Sequence, residues 1–101
     1  DADLTRTDLR GADLVAANLR DAKLSGATVG DAVLCSENRR GDVDSRTSCT
    51  NLRGVDLRGL DLRAARHCSA DRREIRTCRV VTRRELIDFA HADLTGALAP
   101  A

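Results

Sequence analysis

The first third of the chain alternates apolar and polar positions with a period of five. Residues 2–36 divide into ADLTR, TDLRG, ADLVA, ANLRD, AKLSG, ATVGD and AVLCS. Leu or Val fills the centre of every block: Leu4, Leu9, Leu14, Leu19, Leu24, Val29 and Leu34. Ala, or once Thr, stands two residues earlier, and Asp or Asn holds four of the seven slots between. A period of five suits neither regular element. On an α-helix it advances roughly 500°, so the leucines form no stripe. On a flat strand five is odd, so they alternate faces. The pattern works if the chain turns a corner once per block. Ala and Leu of Ala-Asp-Leu then point inward, Asp points outward, and the last two residues make the corner. Gly at that corner accepts positive φ and Asp tolerates tight turns. Such a chain stacks on itself.

Tandem A-[DN]-L-x-x blocks resemble the pentapeptide-repeat family. The resemblance covers residues 2–36, returns at 50–64 (TNLRG, VDLRG, LDLRA), and returns again at 87–96 (IDFAH, ADLTG). It implies an all-β solenoid: a right-handed quadrilateral β-helix with four pentapeptides per coil. Twelve convincing blocks and two degenerate ones make about three coils, a stub roughly 15 Å tall at strand spacing. The inward set then continues through Leu52, Leu57, Leu62, Phe89 and Leu94. One domain results, with repeats at 2–36, 50–69 and 87–101 and inserted loops at 37–49 and 70–86.

Two stretches depart from the pattern. Residues 37–48, ENRRGDVDSRTS, contain no Leu and read as a surface loop that leaves and re-enters one edge of the stack. After it, Thr50, Val55 and Leu60 replace the usual Ala, which widens that coil. His67 then occupies a central slot, where an imidazole is a poor core residue, so the coil is expected to fray. Residues 68–78, CSADRREIRTC, form a second Arg-rich loop between cysteines. Beyond it, Thr82 and Glu85 fit a capping box ahead of a short helix over 83–90. The rival reading takes Ile87-Asp88-Phe89 as a repeat with Ile and Phe inward. The ADLTG that follows favours the repeat.

The four cysteines, Cys35, Cys49, Cys68 and Cys78, allow three pairings. Local pairing, Cys35 with Cys49 and Cys68 with Cys78, closes each polar insertion at its base. A closed loop of 15 residues gains roughly 3 kcal/mol in the chain-entropy model, a large supplement for so short a stack. Free thiols are the plain alternative. Zinc needs four convergent thiolates or help from His67 or His91, and no C-x2-C knuckle exists. Paired cysteines imply an oxidising compartment. Secretion is therefore the expected localisation, with the cytoplasm as alternative. The chain also lacks methionine, which suggests a processed or excised product.

Charge is +1 overall but uneven. Residues 1–36 carry −2, residues 37–86 carry +5 and residues 87–101 carry −2, with sixteen Arg against one Lys. Arg39, Arg40, Arg72, Arg73 and Arg76 are candidate partner contacts, since Arg makes bidentate contacts that Lys cannot. Phe89 is the only aromatic residue, so no aromatic-rich core exists. No apolar run approaches the roughly 18 residues of a membrane span, and no signal segment is visible.

No catalytic constellation, P-loop or dinucleotide fingerprint is present. Asp recurs by the repeat rule and says nothing of acid–base work. The expectation is no enzyme and no cofactor. Some pentapeptide-repeat proteins mimic DNA and bind type II topoisomerases. That role needs a long, strongly negative rod, so a short +1 chain fits it poorly. The Arg-rich middle lacks stacking aromatics and mixes acids among its bases, so nucleic acid is not an expected partner. The leading expectation is a structural protein that associates with itself end to end as a fibre or oligomer, because no polar cap is visible at either end. The alternatives are the topoisomerase-binding class and a rigid adaptor module excised from a longer chain.

Overall fold

Each five-residue block folds as one extended step and one corner. The computed structural model describes residues 3–15, 17–38, 47–70 and 76–100. The corners are closed by a backbone bond from each Ala-type residue to the preceding Leu carbonyl. Examples are Thr7 to Leu4, Ala12 to Leu9 and Ala27 to Leu24, each at 3.0 Å. The second corner residue usually has positive φ, as at Gly11 (75°), Gly26 (73°), Gly54 (76°) and Gly59 (81°). That is the φ pattern of a type II turn. Arg6 and Asp21 adopt it without glycine, at 61° and 59°.

The outward Asp or Asn has a specific task. Its Oδ1 accepts the backbone N–H two residues on, at 3.0 Å for Asp8 and Arg10, 3.1 Å for Asn18 and Arg20, and 3.0 Å for Asp61 and Arg63. This is an Asx turn, which satisfies a corner donor that the extended step leaves free. Where Arg follows at that spacing, its guanidinium also grips the same carboxylate, as at Asp8, Asp56 and Asp61. These pairs are solvent-exposed and contribute little to stability.

Successive levels stack in parallel. Asp3 lies beside Lys23, Asp8 beside Thr28 and Asp13 beside Val33, each 20 residues on, or four blocks. Leu4, Leu9 and Leu14 donate to the carbonyls of Lys23, Thr28 and Val33 at 2.8, 2.8 and 2.9 Å. Asn18 pairs with Asn51, an interval of 33. The longer interval holds the first insertion. Val33 pairs with Arg66, again 33 on, and Leu52 donates to Ala90 at 2.8 Å. The second insertion thus leaves from the same corner, one level further along.

Both insertions form strands: β1 (Val33–Asn38) and β2 (Thr47–Cys49), then β3 (Arg66–Ala70) and β4 (Arg76–Val80). They make one open, mixed sheet in the order β2-β1-β3-β4. The central pair is parallel and the two outer pairs are antiparallel. The expected fraying at His67 does not occur. His67 lies within β3 and is 3% exposed, because the stack hands it to the sheet before the repeat pattern would need it as a core residue.

The leucines converge on one core. Leu24, Leu34, Leu52, Leu57 and Leu62 are no more than 3% exposed, as is Val55, and Leu9, Leu19, Val29 and Leu94 are also buried. Leu4 and Leu14, on the first level, are only partly buried. Thr50 is fully buried because its hydroxyl donates to the Ala17 carbonyl at 3.1 Å. The axis holds a cavity of about 10 Å³, too small for a ligand.

Phe89 is the correction. It is 47% exposed, as is Ile87, so neither points inward. Residues 83–88 form the helix α1 (Arg83–Asp88), with Thr82 as N-cap and a complete capping box to Glu85. Helical spacing puts Leu86 and Ala90 on one face, and both are fully buried. Strand alternation would have chosen 87 and 89 instead.

Two glycines separate the conformational cost from the steric one. Gly54 and Gly59 share the left-handed corner conformation, but a Cβ at Gly59 meets nothing, whereas at Gly54 it collides with the Asp21 carboxylate. Gly59→Ala should cost about 1–2 kcal/mol. Gly54→Ala should cost somewhat more, by whatever it takes to turn the exposed Asp21 carboxylate aside, as read by parallel urea melts. Equal losses would mean that Asp21 yields freely.

Candidate functional site

The sheet carries the molecule's densest chemistry, and its registers explain why. Cys35 stands opposite Cys49, and Cys68 opposite Cys78. The bonds Thr50 N–H to Leu34 O and Val81 N–H to Ala65 O set the phase of each hairpin. In that phase both cysteine pairs fall at non-hydrogen-bonded positions, where opposed Cα atoms come closest. The Cα separation is 4.0 Å in each, and both pairs are joined as disulfides. Sequence-local pairing is therefore the connectivity.

The parallel register couples the two hairpins. Cys35 lies beside His67, and Ser36 beside Cys68. Neighbouring residues in register share a face and successive ones alternate, so the two disulfides lie on opposite faces. Cys35–Cys49 shares its face with Glu37, His67 and Arg79. Cys68–Cys78 shares its face with Arg66 and Arg76. Arg76 is exposed, and its Nη2 lies 4.0 Å from Asp13 Oδ2. The other Arg candidates, Arg39, Arg40, Arg72 and Arg73, lie outside the described residues.

Helix α1 closes over the first face through Glu85. Its carboxylate accepts both arms of the Arg79 guanidinium at 2.9 Å. It also accepts the Thr82 N–H at 2.9 Å and the Thr82 hydroxyl at 3.0 Å. His67 Nδ1 stands 2.6 Å from Glu85 Oε2, and His67 Nε2 stands 4.0 Å from Glu37 Oε2. Arg79 additionally caps the Val80 carbonyl at 3.1 Å, which blunts the open edge of β4. Burial alone would push the Glu85 carboxyl up. The Arg79 and Thr82 hydrogen bonds and the neighbouring His67 outweigh it and hold the carboxyl down at about 2. Both Glu85 oxygens are occupied, so the group acts as a tie rather than a free base.

This lowered carboxyl makes a prediction. A depressed carboxylate stabilises the fold fully above its ordinary value of 4.5, and that contribution fades as pH falls towards about 2. The exposed Asp8, Asp56 and Asp61, each held at about 2 by its Arg partner, act in the same window. Glu85→Gln should therefore shrink, but not abolish, the loss of melting temperature between pH 4.5 and 2. An unchanged acid limb would show that Glu85 carries none of it.

The capping box was visible in the sequence and His67 stood out in its slot. What linked them, the pairing of the two insertions into one sheet, had no local signal. Among the described residues no group of three or more His, Cys, Asp or Glu is placed to hold a metal ion, and no helix is long and apolar enough to cross a membrane.

Comparison with known proteins agrees with the corner geometry. Residues 1–34 match the family model described as pentapeptide repeats (8 copies). No curated protein and no solved structure matches the chain significantly. With the five-residue leucine period and the parallel return every 20 residues, residues 1–34 are pentapeptide repeats of this family.

Proposed function

We propose that the chain is a non-enzymatic structural or interaction protein, built as a right-handed quadrilateral β-helix and associating with further copies of itself end to end. The observation that carries this reading is the stacking interval. Four blocks per return give four sides, and every side adds a backbone ladder parallel to the last. Such a surface is extended by another coil, whichever chain supplies it. Leu24 and Leu34, inside the stack, are 3% and 2% exposed, whereas Leu4 and Leu14, on the first level, are only partly buried. Among the described residues leucines fill the axis, which supports a reading in which partners meet the outer faces and ends. The two disulfides are compatible with an extracellular, oxidising setting, and secretion belongs to the same proposal.

Light scattering after size exclusion, with negative-stain microscopy of the non-reduced protein, tests the reading. Rods whose length grows with concentration support it. A strict monomer at all concentrations overturns end-to-end association and leaves the disulfide-clamped sheet as the surface for a different partner.

A further inference from the structure

Among the described residues, an outward Asp with Arg two positions on ties that Arg down. Asp8, Asp56 and Asp61 hold the guanidinium groups of Arg10, Arg58 and Arg63 at 2.8, 2.7 and 3.0 Å. Two blocks have Asn in that slot instead. Asn18 and Asn51 make the same Asx turn, accepting the Arg20 and Arg53 N–H at 3.1 and 3.0 Å, but an amide offers a guanidinium no negative charge. The fold brings these two exceptions together. Asn18 pairs in parallel with Asn51, and the Asp21 N–H reaches the Arg53 carbonyl at 2.9 Å. Arg20 and Arg53 therefore leave one corner on adjacent levels, about 4.8 Å apart along the stack. Both are exposed, and Arg53 meets no acidic partner among the described residues. The acid within this corner, Asp21, lies 3.7 Å from Arg20 Nε, too far for a hydrogen bond. Two guanidinium groups against one carboxylate leave the corner positive. The next level continues the same side. The Leu52 N–H reaches the Ala90 carbonyl at 2.8 Å, so Phe89, 47% exposed, stands beside the Asn51 level. His91 then takes the positive-φ corner slot at 58°, as Asp21 and Gly54 do below it.

We propose that this side of the stack binds an acidic polysaccharide, with Arg20 and Arg53 taking its carboxylate or sulfate groups, Asn18 and Asn51 donating to its hydroxyls, and Phe89 packing on a sugar face. With Oδ1 taken by the turn, each Asn amide keeps Nδ2 for donation. A pyranose ring shows a face of C–H groups, which suits the negative face of an aromatic ring. In a linear chain each sugar also advances by nearly the spacing of the levels, so acid groups and arginines stay in step. Other polymers fit less well. An extended peptide repeats on one side every two residues, about 6.7 Å, and falls out of step. A nucleic-acid strand is held by stacking successive bases, and the chain has one aromatic residue. A lone small anion would meet these exposed groups in competition with water, whereas a polymer adds contacts from neighbouring units. The surface runs along the side of the stack and does not depend on end-to-end association.

Fluorescently labelled oligogalacturonate, which carries carboxylates alone, and a heparin-derived oligosaccharide, which carries mainly sulfates, test this by anisotropy with the non-reduced protein at low salt. Saturable binding of either, weakened by added salt, is expected and identifies the acid group. Arg20→Gln with Arg53→Gln should weaken it about tenfold, the worth of two exposed charge contacts. Asn18→Asp with Asn51→Asp should do the same, because each new carboxylate captures its guanidinium as Asp8 does, while the Asx turns persist. Phe89→Ala should weaken binding about threefold or more with no change in melting temperature. Arg10→Gln, at a guanidinium already held by Asp8, should leave binding unchanged. No saturable binding of either sugar overturns the proposal, as does binding that both double variants retain. A single-stranded DNA of matched charge that binds as tightly as the sugars overturns it too, by making the corner a general polyanion surface.

Discussion

Replacing Cys68 and Cys78 together by alanine is expected to lower stability by about 2–4 kcal/mol. The sequence separation is 10, and closing so short a loop removes roughly 3 kcal/mol of unfolded-chain entropy in that model. Alanine rather than serine avoids burying a hydroxyl at Cys68, which is 2% exposed. The damage should be directional. β4 is an edge strand held by β3 alone and leads straight into α1. Without the bridge, β4 loosens, Arg79 loses its fixed position, and Glu85 and His67 lose their partner. Hydrogen exchange should accelerate most at the Val81 and Leu86 amides, which bond to Ala65 and Thr82, and far less at the Leu9 amide on the first level. Urea melts with a loss under about 0.5 kcal/mol, or uniform acceleration across the chain, would contradict this placement.

The second large effect separates two readings of one segment. Leu86→Ala should cost about 2–5 kcal/mol, because Leu86 is fully buried beneath α1. Phe89→Ala should stay within about 0.5 kcal/mol, as for exposed surface sites. A continuing repeat would demand the reverse, with Phe89 as the core residue. Thermal or urea unfolding of the two variants side by side decides between helix and repeat. A larger loss for Phe89→Ala would restore the repeat reading.

The same segment shows why local signals conflict. Ile87-Asp88-Phe89 satisfies the repeat pattern, while Thr82 and Glu85 satisfy a capping box, and each rule is locally sound. Glu85 settles the matter from a distance. Its carboxylate completes the cap and also meets Arg79 and His67 from two other strands. A helix so placed gains ionic and capping bonds that an extended repeat would forgo. The Asp–Arg pairs of the corners were equally hidden. The period of five was plain, but the Oδ1-to-N–H bond that makes Asp or Asn useful there appears only once the corner has a shape.

What the sequence alone determined is the five-residue step. Each block carries its own instructions: an Ala and a Leu for the inside, an outward Asp or Asn, and a residue tolerant of positive φ to turn the corner. Those interactions span five residues or fewer, so they can be read block by block. Local cysteine pairing was the sequence's expectation, and the strand registers that oppose Cys35 to Cys49 and Cys68 to Cys78 decided it. Tertiary structure alone decided that the two insertions leave one corner on successive levels and pair as a single sheet. It decided that His67 is buried between carboxylates rather than fraying a coil, and that Leu86 rather than Phe89 faces inward. The physical reason is separation. Val33 meets Arg66 across 33 residues, and that register depends on how the inserted chain lengths combine with the stacking interval, a sum that no short window of sequence contains.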